Sequence, residues 1–158
     1  MGQMVARLRG QRLLVRAAGD GMPSVSALLP HRPPFLFLDR IVDVDPAARC
    51  LRAAYDVRQN DAIFAGHFPG DPVYPAVLQL EAMGQAATCL LSIEQFGLTS
   101  IRLSHIRHAS FFLPIPPGAL LDIHCCILDD DPLIATFGAQ VWLDIGLASI
   151  AIGDLHAR

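Results

Sequence analysis

Lysine is absent from this 158-residue chain: all twelve basic residues are arginine, and fifteen acidic residues leave a formal net charge of −3. Four of the arginines, Arg7, Arg9, Arg12 and Arg16, stand against Asp20 alone in residues 1–22, so that segment carries +3 and the remainder −6. A body of that sign is a poor nucleic-acid surface. Uninterrupted apolar runs fall short of the roughly 18 residues that a membrane span needs, so no crossing helix is expected. The four cysteines, Cys50, Cys89, Cys125 and Cys126, form no CxxC pair and no Cys/His ligand spacing, which leaves neither a dithiol motif nor a zinc site to be read. Nothing at the N-terminus resembles a secretory signal. The expected setting is a reducing cytoplasm, with the cysteines as core packing. Repeats and low-complexity tracts are missing as well.

Apolar residues are what the chain has in excess, at 53% of the sequence and a mean hydropathy of +0.41. A domain of this length builds a real core, and the excess points to buried subunit contacts besides. Residues 1–22 are read as a basic, loosely ordered arm and 23–158 as a single domain. Within the domain, Phe35 to Val44 is rich in β-formers and is stopped by Asp45-Pro46, with Cys50 to Val57 as its hairpin partner. Pro75 stands where a helix can open, because the N–H it lacks would be unpaired there anyway. Ala76 to about Ile93 carries neither proline nor a β-branched run, and Gly97 marks the exit. Apolar side chains cover most of that helix's circumference, so it is expected to be enclosed. Glu81 and Gln85 are then the exceptions that need a reason.

Beyond the helix, Ser100–His108, Ala119–Leu128, Leu133–Leu143 and Leu147–Asp154 read as strands between Pro/Gly-rich and Asp-rich breaks. In the second of these, Leu121, Ile123, Cys125 and Ile127 share one face, opposite Asp122 and His124. One long buried helix with an antiparallel sheet around it is an α+β layout.

Three blocks stand out in order along the chain: Leu29-Pro30-His31-Arg32-Pro33-Pro34-Phe35-Leu36-Phe37-Leu38-Asp39-Arg40, then Gly66-His67-Phe68-Pro69-Gly70, then Glu81-Ala82-Met83-Gly84-Gln85-Ala86. Together they resemble the (3R)-hydroxyacyl-acyl-carrier-protein dehydratases of the FabZ type, well over residues 28 to 92 and by pattern alone afterwards. The resemblance implies a hot-dog fold, a sheet wrapped around a central helix, in a homodimer or a trimer of dimers. It also implies an active site at the dimer interface, with His67 of one chain facing Glu81 of the other. Gln85 would support the site through hydrogen bonds, and Phe68, Gly70, Tyr74, Ala76 and Val77 would surround the bound thioester.

The residue types suit that chemistry. Removing water from a 3-hydroxyacyl thioester needs a base for the C2 proton, an acid for the departing hydroxyl, and a donor for charge growing on the thioester oxygen. Histidine ordinarily titrates near neutral pH, which makes His67 the base. A carboxyl group set in an apolar helix is favoured in its neutral, proton-donating form, which makes Glu81 the acid. The backbone N–H of Ala76, at the positive end of the helix, is the oxyanion donor. No metal or organic cofactor is required. The bland alternatives are a turn-packing role for His67, a buried ion-pair role for Glu81 and a satisfied core amide for Gln85. The fourteen-residue spacing of His67 and Glu81 within the three blocks favours catalysis. His31, His105, His108, His124 and His156 are read as structural or exposed. Asp39-Arg40 is read as a fold-maintaining charged pair, and Arg32 as a residue that could touch the carrier or its phosphate.

Three departures from the family pattern bear on substrate. Ala76 stands where glycine is usual, Tyr74 where methionine is common, and Phe111-Phe112-Leu113 where arginine or lysine tends to precede the Pro-Ile-Pro-Pro-Gly turn. The last, with the acidic body, leaves Arg102 and Arg107 as the remaining candidates for a carrier contact and both acyl carrier protein and coenzyme A open as the carrier. Two other functional classes also stay open. A hot-dog acyl thioesterase would release a free thiol in place of an enoyl thioester, and a non-catalytic acyl-binding subunit of a heteromeric dehydratase would be inactive alone.

Overall fold

The computed structural model describes residues 1–13, 21–94 and 100–157. Two helices come first, α1 over Gly2–Gly10 and the single turn α2 over Val25–Leu28, then strands β1 (Arg40–Asp45) and β2 (Cys50–Asp56). A 3-10 turn at Ala62–Ala65 leads to the nineteen-residue helix α3 (Ala76–Glu94). Strands β3 (Ile101–Phe111), β4 (Leu120–Asp130), β5 (Ile134–Leu143) and β6 (Gly146–Ala157) complete the chain. All neighbouring strands are antiparallel, in the order β1-β2-β4-β5-β6-β3.

The sheet curls around α3. Leu121, Ile123, Cys125 and Ile127 from β4 and Phe137, Ala139 and Val141 from β5 pack with Met83, Ala86, Ala87 and Leu90 of the helix in one core. Asp122 and His124 lie on the opposite face, as the alternation of a strand requires. This is the hot-dog fold. By length and composition alone α3 is apolar enough to cross a membrane. Two-thirds of its apolar window is buried, as a core helix inside a sheet must be. The exit read at Gly97 lies outside the described residues. At its last described turn Glu94 accepts two hydrogen bonds from Arg49, of 2.7 and 3.0 Å, which fastens α3 to the β1–β2 hairpin.

Three expectations are corrected. The first strand begins at Arg40 and not at Phe35, because the backbone of Phe35 and Phe37 is taken by a helix side chain. The N–H of Phe37 donates to Gln85 Oε1 at 2.9 Å, and Gln85 Nε2 donates to the Phe35 carbonyl at 3.1 Å. Asp39 and Arg40 do not pair with each other; Asp39 reaches Arg58 at 3.4 Å and Arg40 reaches Asp56 at 3.4 Å. Two of the four cysteines are not merely packed: Cys50 and Cys126, register partners on β2 and β4, form a disulfide, while Cys89 and Cys125 are free and buried. Burial pushes the Cys89 thiol up to about 12, and raises that of Cys125 too.

The arm also differs from its reading as a loose tail over residues 1–13. Its helix α1 lies across the outer face of the sheet, where Leu8 and Leu13 pack with Cys50, Cys126, Ile150 and Ile152. Gln140, fully buried in β5, donates from Nε2 to the carbonyls of Leu8 (2.6 Å) and Gln11 (2.7 Å) and accepts from the N–H of Leu13 at 2.8 Å. His124 adds a 2.7 Å bond to the Leu13 carbonyl, and Arg12 pairs with Asp122. A side chain at Gly138 would meet Leu8 at 3.3 Å and Leu128 at 2.9 Å, so glycine there lets the arm approach the sheet. Residues 14–20, which contain Arg16 and Asp20, lie outside the described residues.

Candidate active site

His67 and Glu81 are delivered by two different devices. The 3-10 turn Ala62–Ala65 is opened by Asp61, whose side chain accepts from the N–H of Ile63 at 3.0 Å, and it hands the chain to Gly66 and His67. Phe68 and Asp71 then exchange backbone hydrogen bonds of 3.0 and 3.2 Å, closing a tight loop in which Gly70 takes φ +81°, a region suited to glycine. The chain folds back so that the N–H of Val73 donates to the His67 carbonyl at 2.9 Å. The His67 ring is held in the same loop: Nδ1 lies 2.7 Å from the Val73 carbonyl. A carbonyl only accepts, so Nδ1 carries a proton, and in the neutral tautomer the lone pair falls on Nε2.

Glu81 sits on the second turn of α3. Gln85, one turn later, donates from Nε2 to Glu81 Oε1 at 2.9 Å while its own oxygen is pinned by the N–H of Phe37. One amide therefore ties the carboxylate, the helix and the Phe35–Phe37 segment together. His31 Nε2 lies 3.7 Å from the same Glu81 oxygen, and the His31 ring stacks on Phe35 with centroids 6.4 Å apart. The reading of His31 as merely structural or exposed missed this approach. Its place in the Leu29–Arg40 block was the only available signal. Arg32, by contrast, spends donors on the carbonyls of Ser26, Leu29 and His31, which fixes the loop that presents His31.

Within one chain His67 and Glu81 share neither a hydrogen bond nor an ion pair among the described residues. The helix start lies between them: Pro75 precedes Ala76, and its carbonyl accepts from Leu78 and Gln79 at 3.1 and 3.4 Å. The N–H groups of Ala76 and Val77 belong to the first turn, where the macrodipole favours negative charge. Tyr74 is buried beneath, between the rings of Tyr55 and Phe64, and burial raises its phenol well above the ordinary value. Two apolar side chains beside the site face outward: Phe68 is 53% exposed and Val77 68%. No cluster of metal-ligating side chains occurs among the described residues.

The enclosed helix carries Glu81 in its second turn with a histidine loop at its mouth, and the family model for the FabA-like domain matches residues 29–148. The chain belongs to that family. Among curated relatives it is 38% identical over 140 residues to "3-hydroxyacyl-[acyl-carrier-protein] dehydratase FabZ" of Chlamydia trachomatis serovar L2, covering 85% of this chain and 89% of that protein. It is 42% identical over 118 residues to the protein of the same name from Novosphingobium aromaticivorans, covering 68% and 73%. Among solved structures, the dehydratase heterocomplex ApeI:P from Xenorhabdus doucetiae superposes with a TM-score of 0.73 over 86% of this chain and 91% of that one. At 17% identity, that likeness speaks for the fold.

Proposed function

We propose that His67 and Glu81, contributed by two copies of the chain, dehydrate a 3-hydroxyacyl thioester. Membership of the family makes the protein a dehydratase of the kind that serves fatty-acid biosynthesis, a carbon–oxygen lyase. His67 Nε2 takes the C2 proton, the C3–O bond breaks, and Glu81 gives its proton to the departing hydroxyl, so that water and a trans-2-enoyl thioester leave. The proton on His67 then returns to the Glu81 carboxylate through solvent or the next substrate, which closes the cycle. Negative charge on the thioester oxygen during C2–H cleavage is met by the Ala76 N–H at the start of α3. Phe68, Gly70, Tyr74 and Val77 shape the space around the acyl chain.

The observation that carries this reading is the Nδ1–H bond from His67 to the Val73 carbonyl, which fixes the ring and leaves Nε2 as the nitrogen available to act as base at the helix mouth. Pairing of chains is supported by two features. Strand β3 is an outer strand whose free edge can accept another copy, and the exposed Phe68 and Val77 flank the site as apolar surface awaiting cover. Acyl carrier protein is the proposed carrier, on the strength of the curated relatives' names.

The test is enoyl formation by His67→Ala and Glu81→Ala. Each is expected to abolish turnover while the fold survives, and mixing the two under subunit exchange is expected to restore part of it. Near-normal turnover by either single variant sinks the assignment. Absence of recovery on verified mixing would place both groups of a site within one chain.

A further inference from the structure

We infer that helix α1 supplies the cationic half of a docking surface for a negatively charged carrier protein, with Arg9 and Phe112 at its centre. The inference rests on the dehydratase reading above and concerns how the substrate is presented to that site.

Charge comes first. Residues 1–13 hold Arg7, Arg9 and Arg12 with no acidic residue, a charge of +3, and the other 145 residues therefore sum to −3 − 3 = −6. Positive charge is thus concentrated in a segment the fold has laid on the outside of an acidic body. Anchoring of that segment uses Leu8, Leu13, the Gln140 amide and the Arg12–Asp122 pair. Arg7 takes no part in it, and Arg9 touches the body only through Phe112 and Ser110. Among the described residues neither has a carboxylate partner, whereas Arg12, Arg40, Arg52, Arg58 and Arg107 each have one.

Placement comes second. The Arg9 guanidinium lies over the Phe112 ring, 5.0 Å from its centroid, and donates to Ser110 Oγ at 3.2 Å. Phe111 and Phe112 are 42% and 40% exposed. A guanidinium stacked on an aromatic face still offers its N–H edge to carboxylates, and holding it there in advance lowers the ordering cost of binding. The same strand end runs into Ile115, whose carbonyl accepts from the N–H of Tyr74 at 2.8 Å, immediately before Pro75 and α3. Phe112 therefore stands three residues along the chain from a backbone contact with the segment that opens α3. A basic group delivered by α1 occupies the place where the strand itself offers only Phe111-Phe112-Leu113. Charge complementarity with an apolar centre fits an acidic protein surface; of the sheet's own arginines, Arg40, Arg52 and Arg107 are paired with carboxylates, and Arg102 stands at the opposite end of β3 from Phe111.

The experiment compares one short 3-hydroxyacyl chain presented on acyl carrier protein, on coenzyme A and on N-acetylcysteamine, using the full chain and its Arg9→Glu and Arg7→Glu/Arg9→Glu variants. The expected result is a KM for the carrier-protein substrate raised about tenfold in Arg9→Glu and further in the double variant. The difference should shrink in high salt, while turnover of the N-acetylcysteamine thioester stays as in the parent. An unchanged carrier-protein KM overturns the inference, and so does an equal loss on all three substrates. A loss confined to coenzyme A overturns it too, by assigning the arginines to nucleotide phosphate. If the parent chain fails to dehydrate even the small thioester, the dehydratase reading falls and takes this inference with it.

Discussion

His31 Nε2 stands 3.7 Å from Glu81 Oε1, the oxygen that Gln85 already holds at 2.9 Å. The carboxyl group thus has a neutral amide fixing its orientation and an imidazole slightly beyond hydrogen-bonding range. A group placed this way acts through Glu81 and not on the substrate. His31→Ala is expected to lower kcat about tenfold with KM nearly unchanged, the size of one hydrogen bond. His31→Gln, which can place an N–H near the former Nε2, should recover part of the loss. Steady-state kinetics on both variants separates this from a packing role, in which kcat and thermal stability would fall together and glutamine would rescue neither.

Glu81 and Gln85 show how far a sequence discloses such a site. Pro75 and the all-round apolar pattern mark α3 because they act locally, and against that pattern two polar residues one turn apart demand an explanation. The partners that complete the arrangement are tertiary and leave no local trace. Gln85 draws the Phe35 and Phe37 backbone out of strand pairing, so a β-rich stretch is extended without belonging to the sheet. The arm is a further case. Leu8 and Leu13 are poor evidence of structure until Gln140 and His124, more than a hundred residues on, are brought beneath them. Cys50 and Cys126 likewise need the β2–β4 register, which alternation alone does not fix.

His124 gives the arm a pH dependence whose sign can be worked out. Its Nε2 lies 3.2 Å from both Arg12 Nε and Asp122 Oδ2, and its Nδ1–H donates to the Leu13 carbonyl at 2.7 Å. Burial, helped by the positive charges of Arg12 and Arg52, lowers the imidazole to about 4, against the weaker pull of Asp43 and the Leu13 bond. The unfolded chain takes up this proton below about 6.5, while the folded chain resists until about 4. The stability contributed is therefore complete above pH 6.5 and is lost as pH falls through 4, on the order of 3 kcal/mol in all. Urea midpoints measured from pH 7.5 to 4 on the parent and on His124→Gln should diverge at neutral pH and converge toward the acid end. A constant difference across the range would show that His124 does not titrate between the two states.

The Cys50–Cys126 bond joins residues 76 apart beneath α1, on the face of the sheet turned away from α3. Closing so long a loop restricts the unfolded chain, and cross-links of this kind contribute about 2–4 kcal/mol. Reduction, or Cys126→Ser, is expected to lower the unfolding free energy by that amount. Dehydratase turnover at 25 °C should change little, because neither sulfur approaches His67, Glu81 or the start of α3. Thiol titration in denaturant provides the first check. Without reductant it should find two thiols, those of Cys89 and Cys125, and with reductant all four. Four thiols in untreated protein would mean that the pair is held reduced. The arm would then keep its place on the sheet through Leu8, Leu13 and the Gln140 amide without help from a cross-link.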